Sequence, residues 1–260
     1  MMCPIYSPKL PVQFFQVIVS LLYSSFKIKP CMRATVKIAP SIITANMLKL
    51  SSEIKKLEEA GADMIHIDVY PLMVFSFKYS ELSEVTIGPL LLDFLRKRTS
   101  LPLEVHLAVE TDKEIVEEYI SLGADIITIH PDAISVNDIY DVIDTIKGMG
   151  IKLSLGINVT SDISCIKMFT RYADMVLLVT SNPNFSGKIR IKESEEKLRE
   201  LRKVIGKSVD LAVDGGINEE TAPRFIREGA TVLVVGRYLF ESRDYAEAIN
   251  RLKQKYEKMV

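Results

Sequence analysis

The sequence predicts an α/β fold, a closed (β/α)8 or TIM barrel, on three observations. From Val36 onward, short apolar runs alternate with amphipathic stretches at helical spacing. One junction recurs: EAGADMIHID, SLGADIITIH, RYADMVLLV and REGATVLVV each read as helix end, small turn and apolar strand. Eight strand runs fit into about 220 residues, the count and size of such a barrel. A doubly wound open sheet is the alternative, but no G-x-G-x-x-G follows the first strand.

The strand runs, in order, are 36–43, 63–69, 102–109, 125–130, 152–158, 174–180, 209–216 and 230–236. Between the first two, Leu50, Ile54 and Leu57 share one helix face and Gly61 ends the helix. The second strand leads through a long connection to the helix PLLLDFLRKR at 89–98. Thr111 to Glu114 reads as a capping box opening a helix that stops at Gly123, and Ser135 opens the next. Leu198, Leu201 and Ile205 mark a charged helix after the sixth strand. Asn218, followed by Glu219 and Glu220, caps the helix after the seventh, and a last helix begins near Arg243.

Residues 1–34 do not share this pattern, so the expected organisation is an N-terminal extension (1–34) and a catalytic barrel (35–260). The apolar stretch from Leu10 to Phe26 is interrupted by Gln13, Gln16 and serines and falls short of the ~20 apolar residues of a membrane span. No small-residue cleavage site marks a signal peptide. The 260 residues are 48% hydrophobic and 26% charged with a net charge of −1, and Lys and Arg are scattered. Neither nucleic acid nor a membrane surface is therefore expected as a partner. Cys3, Cys31 and Cys165 have no metal spacing and cannot all pair, which points to the cytoplasm.

Chemistry concentrates in MIHIDVY, residues 64–70. Residues two apart on a strand face the same way, so His66 and Asp68 project together from an apolar element. Alone, such a pair is readily a structural hydrogen bond. However, the only three histidines, His66, His106 and His130, all fall on or at the ends of strands two to four, and Asp214 ends strand seven. In barrels of this kind the C-terminal strand ends build the active site. Imidazoles and carboxylates without thiolates suit Zn, Fe(II), Mn or Co, so His66, Asp68, His106 and Asp214 are read as a divalent-metal site. His130 is left open between a ligand, a support to the ligands and a structural role. Gly215-Gly216 and Gly236-Arg237 follow strands seven and eight, where barrels commonly seat a phosphate.

These residues resemble the ribulose-phosphate 3-epimerase family from Ile38 to Phe240. The matching stretches are IAPSIITAN at 38–46, HID at 66–68, TIGP at 86–89, EVHL at 104–107, GADIITIH at 123–130, NPNFSG at 182–187 and VDGGINEET at 213–221. The resemblance implies a barrel of the ribulose-phosphate-binding type and one divalent metal held by His66, Asp68, His106 and Asp214. It also implies Asp68 and Asp214 as acid/base pair, Ser41 and His106 near a small sugar-phosphate substrate, and phosphate on Gly187, Gly215, Gly216, Gly236 and Arg237. A homo-oligomer is the expected assembly. The chain departs from the family pattern at Tyr70-Pro71-Leu72, where Met-Asp-Gly is usual. It departs again at Ala108, where Met is usual, and at Asn184 and Ser186, which replace glycines. The implied reaction is epimerisation at carbon 3 of a ketose phosphate through an enediolate, by default D-ribulose 5-phosphate to D-xylulose 5-phosphate. A D-allulose 6-phosphate 3-epimerase and a non-catalytic sugar-phosphate binder are the alternatives.

Overall fold

The computed structural model describes residues 36–70, 88–180 and 189–257. The extension 1–34, most of the long connection after the second strand and Gly187 lie outside them. Eight parallel strands are present: β1 Lys37–Pro40, β2 Ile65–Val69, β3 Leu103–Leu107, β4 Ile126–Ile129, β5 Lys152–Asn158, β6 Met175–Val179, β7 Asp210–Asp214 and β8 Val232–Val235. Their order, β1-β8-β7-β6-β5-β4-β3-β2, leaves β1 and β2 as the two ends of the sheet. The seam between those ends is pinned twice. Near its base the Asp63 N–H donates to the Ile38 carbonyl at 2.9 Å, and near its top Ser41 bridges His66 in parallel. The sheet is thereby nearly closed into a (β/α)8 barrel.

The intervening helices are α1 Leu50–Glu59, α2 Pro89–Arg96, α3 Lys113–Ser121, α4 Ile139–Gly148, α5 Ser164–Lys167, α6 Ile191–Ile205, α7 Ala222–Arg227, α8 Arg237–Phe240 and α9 Tyr245–Glu257. Each long helix turns an apolar stripe inward: Leu50, Ile54 and Leu57 of α1 are buried, as are Leu198, Leu201 and Ile205 of α6. This helix–sheet layer is the main core, where a fully buried Leu or Ile contributes roughly 1.5–3 kcal/mol. A second, smaller apolar cluster fills the barrel itself, with Met64, Ile126, Met175 and Val232 below Leu177 and Val234.

The recurring junction of the sequence has a physical basis at the base of the barrel. Asp63, just before β2, accepts the Ile38 N–H of β1 at 2.8 Å. Asp125 does the same for Leu103 of β3, and Asp174 for Leu153 of β5, both at 2.8 Å. Thr231 takes the fourth place, accepting Leu211 N–H of β7 at 2.9 Å. A short polar side chain in each GAD, YAD or GAT turn thus satisfies the backbone of the neighbouring strand where the ladder begins.

Several local expectations need correction. The first strand ends at Pro40, because residues 42–44 turn into a 3-10 helix that lifts Ser41 to the barrel mouth. Asp112, not Thr111, caps α3, accepting the Ile115 N–H at 2.9 Å, while the Thr111 hydroxyl donates to the Val109 carbonyl. Asn218 accepts from the N–H groups of Glu220 and Thr221, but α7 proper starts only at Ala222. The Ser135 carbonyl accepts from Ile139 N–H, and α4 begins there. The short α5, between β5 and β6, had no clear periodic signal.

Candidate active site

Parallel register decides which side chains meet. His66 of β2 lies opposite Glu104 of β3, and Asp68 lies opposite His106. All four face the barrel interior and are buried. Asp68 is the hub. Its Oδ2 accepts from the Ser41 hydroxyl at 2.6 Å, while its Oδ1 lies 3.0 Å from His66 Nε2 and 3.2 Å from His106 Nδ1. Each histidine is held from behind through its other nitrogen. His66 Nδ1 lies 2.7 Å from Glu104 Oε2, and His106 Nε2 lies 2.8 Å from His130 Nε2. Asp214 completes the group from β7, across the barrel. One donor atom from each of His66, Asp68, His106 and Asp214 lies within 4.8 Å of every other.

The environment separates the two carboxylates. Burial opposes ionisation of Asp68, but the adjoining His66 charge and the hydrogen bond from His106 outweigh it and hold the carboxyl far below its usual range. At Asp214 burial and the Asp68 charge outweigh the His66 and His106 charges and push it up to about 6. Burial would lower His66, yet the Glu104 and Asp68 carboxylates raise it well above 6.5. His130 is pulled down to about 3 by burial and by the His106 charge, so it is neutral and its Nε2 can accept from His106. Burial, then the charges of Asp68 and Asp214, push the Tyr70 phenol well above 10, and its ring meets His106 edge-on at 5.6 Å.

The donor set fits a divalent metal. Zinc bonds of about 2.0–2.2 Å in a tetrahedron put ligand atoms about 3.3–3.6 Å apart, close to the spacings around Asp68. The Thr128 hydroxyl donates to Glu104 Oε1 at 2.7 Å, so Glu104 is an acceptor at both oxygens and His66 Nδ1 carries a proton. Neutral His66 would then turn its Nε2 lone pair toward Asp68 Oδ1, an acceptor facing an acceptor. A cation relieves that conflict, either a proton on Nε2 or a metal ion.

The structure therefore brings together His66, Asp68, His106 and Asp214, with Ser41 and His130 in contact with the cluster. His66 is the second of the five β2 residues rather than its end, one inward-facing position below Asp68. Gly215 and Gly216 follow Asp214 with φ of 109° and 64°. At Gly216 a Cβ would lie 1.8 Å from the tip of the Ile189 side chain, which would have to shift, while the positive φ itself favours glycine. At Gly236 a Cβ would come within 3.2 Å of the Thr44 hydroxyl, and Arg237 is the first residue of α8. Sequence reasoning missed Glu104 and Thr128 as parts of the site. The signal was there: each stands two residues before a histidine on a strand, on the same face.

A (β/α)8 barrel with three carboxylates, Asp68, Glu104 and Asp214, and three imidazoles gathered in its mouth defines an enzyme with an acid/base centre. Which enzyme class follows from comparison with known proteins. Residues 37–240 match the profile described as the Ribulose-phosphate 3 epimerase family. A ribulose-phosphate 3-epimerase of Bacillus subtilis (strain 168) is 36% identical over 222 residues, covering 84% of this chain and 98% of that protein. The chloroplastic ribulose-5-phosphate-3-epimerase of Arabidopsis thaliana is 35% identical over 236 residues, 90% of this chain and 82% of that one. The Escherichia coli (strain K12) ribulose-phosphate 3-epimerase is 33% identical over 226 residues, 85% and 96% of the two chains. The chain belongs to the ribulose-phosphate 3-epimerase family, carbohydrate epimerases of the isomerase class. A crystal structure of 3-hexulose-6-phosphate synthase from Salmonella typhimurium shares the fold, with a TM-score of 0.66 at 17% identity, over 86% of this chain and all of that one. No helix among the described residues is long and apolar enough to cross a membrane.

Proposed function

We propose that the chain is a metal-dependent ketose-phosphate 3-epimerase interconverting D-ribulose 5-phosphate and D-xylulose 5-phosphate in the cytoplasm. The observation that carries this reading is the placement of Asp68 and Asp214 on the non-adjacent strands β2 and β7, with their donor atoms brought into one cluster with His66 and His106. Epimerising a carbon beside a ketone removes its proton and returns one from the other face. One carboxylate per face meets that need, each acting as base in one direction and acid in the other. Ionised Asp68 is oriented by Ser41, and Asp214 is poised near neutrality, as an acid/base pair with separated environments should be.

His66, Asp68, His106 and Asp214 would hold the metal, which is Zn, Fe(II), Mn or Co on its nitrogen and oxygen donors. When bound, it supplies positive charge that stabilises an enediolate. Phosphate is assigned to the backbone of Gly215, Gly216, Gly236 and Arg237, with Gly187 completing the site. Their place directly after strands β7 and β8, where barrels commonly seat a phosphate, supports this. A homo-oligomer is part of the same reading, and it would cover Leu48 and Leu90, which are exposed in the 3-10 turn at 47–49 and the first turn of α2.

The hexulose-phosphate alternative rests on Tyr70, which stands over the cluster where the family usually has Met. A synthase or decarboxylase on the same fold is disfavoured, because HIDVYPL carries no lysine in an Asp-x-Lys-x-x-Asp run. The test is a coupled assay with D-ribulose 5-phosphate, D-xylulose 5-phosphate and D-allulose 6-phosphate, with metal analysis of the same preparation. The pentulose pair should give the highest kcat/KM and the protein about one divalent ion per chain. Preference for the hexulose phosphate would reassign the substrate, and an inert, metal-poor protein would make it a binder.

A further inference from the structure

We propose that Glu104, clamped by Thr128, is the positioning residue of the metal site, fixing His66 so that Nε2 rather than Nδ1 is offered to the ion. The inference rests on the metal reading above and adds a role to a residue outside the ligand set.

Three observations converge. Glu104 has no solvent exposure and stands directly opposite His66 in the β2–β3 register, so its carboxylate has no water to turn to. Its two oxygens are both committed, Oε2 to His66 Nδ1 and Oε1 to the Thr128 hydroxyl, each at 2.7 Å. Finally, Thr128 comes from β4, so three adjacent strands fix the plane of one carboxylate.

The consequence is chemical. A carboxylate that accepts at both oxygens keeps a proton on His66 Nδ1, so the nitrogen that can give up its proton and be offered to an ion is Nε2, 3.0 Å from Asp68 Oδ1. A histidine free to rotate or to swap tautomers would present that nitrogen only part of the time, and each lost orientation weakens metal binding. His106 is supported differently, by the imidazole of His130. The two ligand histidines thus have unlike backing groups, one charged and one neutral. The charged one makes His66 the stronger donor.

The test is Zn2+ affinity, measured at one pH by competition with a chromophoric chelator on wild type, Glu104→Ala, Glu104→Gln and Thr128→Val. Ring-nitrogen NMR of the Zn2+-loaded, 15N-histidine-labelled protein reads the tautomer. Wild type should show protonated Nδ1 at His66. Glu104→Ala should bind Zn2+ ~10–100-fold more weakly, the usual effect of losing such a partner. Glu104→Gln keeps an acceptor for Nδ1–H without the charge and should fall between, as should Thr128→Val, which keeps the charge but frees the carboxylate. Equal affinity of wild type and a cooperatively folding Glu104→Ala overturns the inference. If Glu104→Ala does not fold, unchanged affinity in both Glu104→Gln and Thr128→Val overturns it. A wild type that binds no divalent ion removes the metal reading and this inference with it. A wild type that binds with all variants alike removes only this one.

Discussion

The two mouths of the barrel use aspartate in opposite ways. At the base, Asp63, Asp125 and Asp174 each accept a strand N–H and each pair with a cation, Lys253, Arg96 and Lys147 respectively, at 2.7–2.8 Å. They are open to solvent and fully satisfied, so their role ends with the strand they hold. At the top, Asp68 is buried and shared between two imidazoles and a hydroxyl, and Asp214 is forced toward its proton by burial and by Asp68. Residue type does not decide function here. What decides it is whether the surrounding groups finish the carboxylate's bonding or leave it strained against a like charge.

The largest expected effect lies at the top. Asp68→Asn and Asp214→Asn should each lower epimerisation by ~10²–10⁴, the usual worth of general acid–base catalysis, in the coupled assay. A variant with wild-type turnover would erase the distinction between the two mouths. Next is metal binding. His106→Ala should weaken Zn2+ beyond the ~10–100-fold that a supporting partner contributes, read by equilibrium dialysis. Affinity should also rise with pH. His66 is held well above 6.5 and Asp214 at about 6 without metal, so an ion must displace protons from both. As pH falls from about 8 to about 6 the protonated fraction grows and binding weakens, with proton release visible by titration calorimetry in two buffers.

At the base the sign of the effect changes. Asp125→Ala and Asp174→Ala leave a strand N–H without its acceptor and should each cost about 1–3 kcal/mol in denaturant unfolding, with kcat unaltered. Loss of turnover without loss of stability would mean the base communicates with the chemistry. The smallest effect should come from the extension. A chain beginning at Met32 should keep the full turnover rate, because no residue of the cluster precedes Ser41.

Much of this is legible in the amino-acid sequence. The repeated GAD, YAD and GAT junctions announced the barrel, since a fold built from one repeated unit repeats its solution at each turn. His66, Asp68, His106 and Asp214 could be grouped because strand periodicity and the rule of C-terminal strand ends suffice to place them. Helix starts were less legible: Thr111 and Asp112 both suit a cap, and only the tertiary path chooses between them. Glu104 was obscured because an acidic residue in an apolar strand reads as surface until its buried partner, His66, is known to lie opposite. The 3-10 turn at 42–44 was hidden for a related reason. IAPSII has strand composition throughout, and the bend is imposed by closing the β1–β2 seam.

The central claim, that Asp68 and Asp214 act on opposite faces of one substrate, is tested most directly by exchange in heavy water. Wild type should place deuterium at carbon 3 of the epimerised product. Asp68→Asn and Asp214→Asn, each with metal bound, should exchange the carbon 3 proton of opposite epimers without inverting them, because one carboxylate survives in each. If either metal-loaded variant inverts carbon 3 at the wild-type rate, the two-carboxylate account is contradicted.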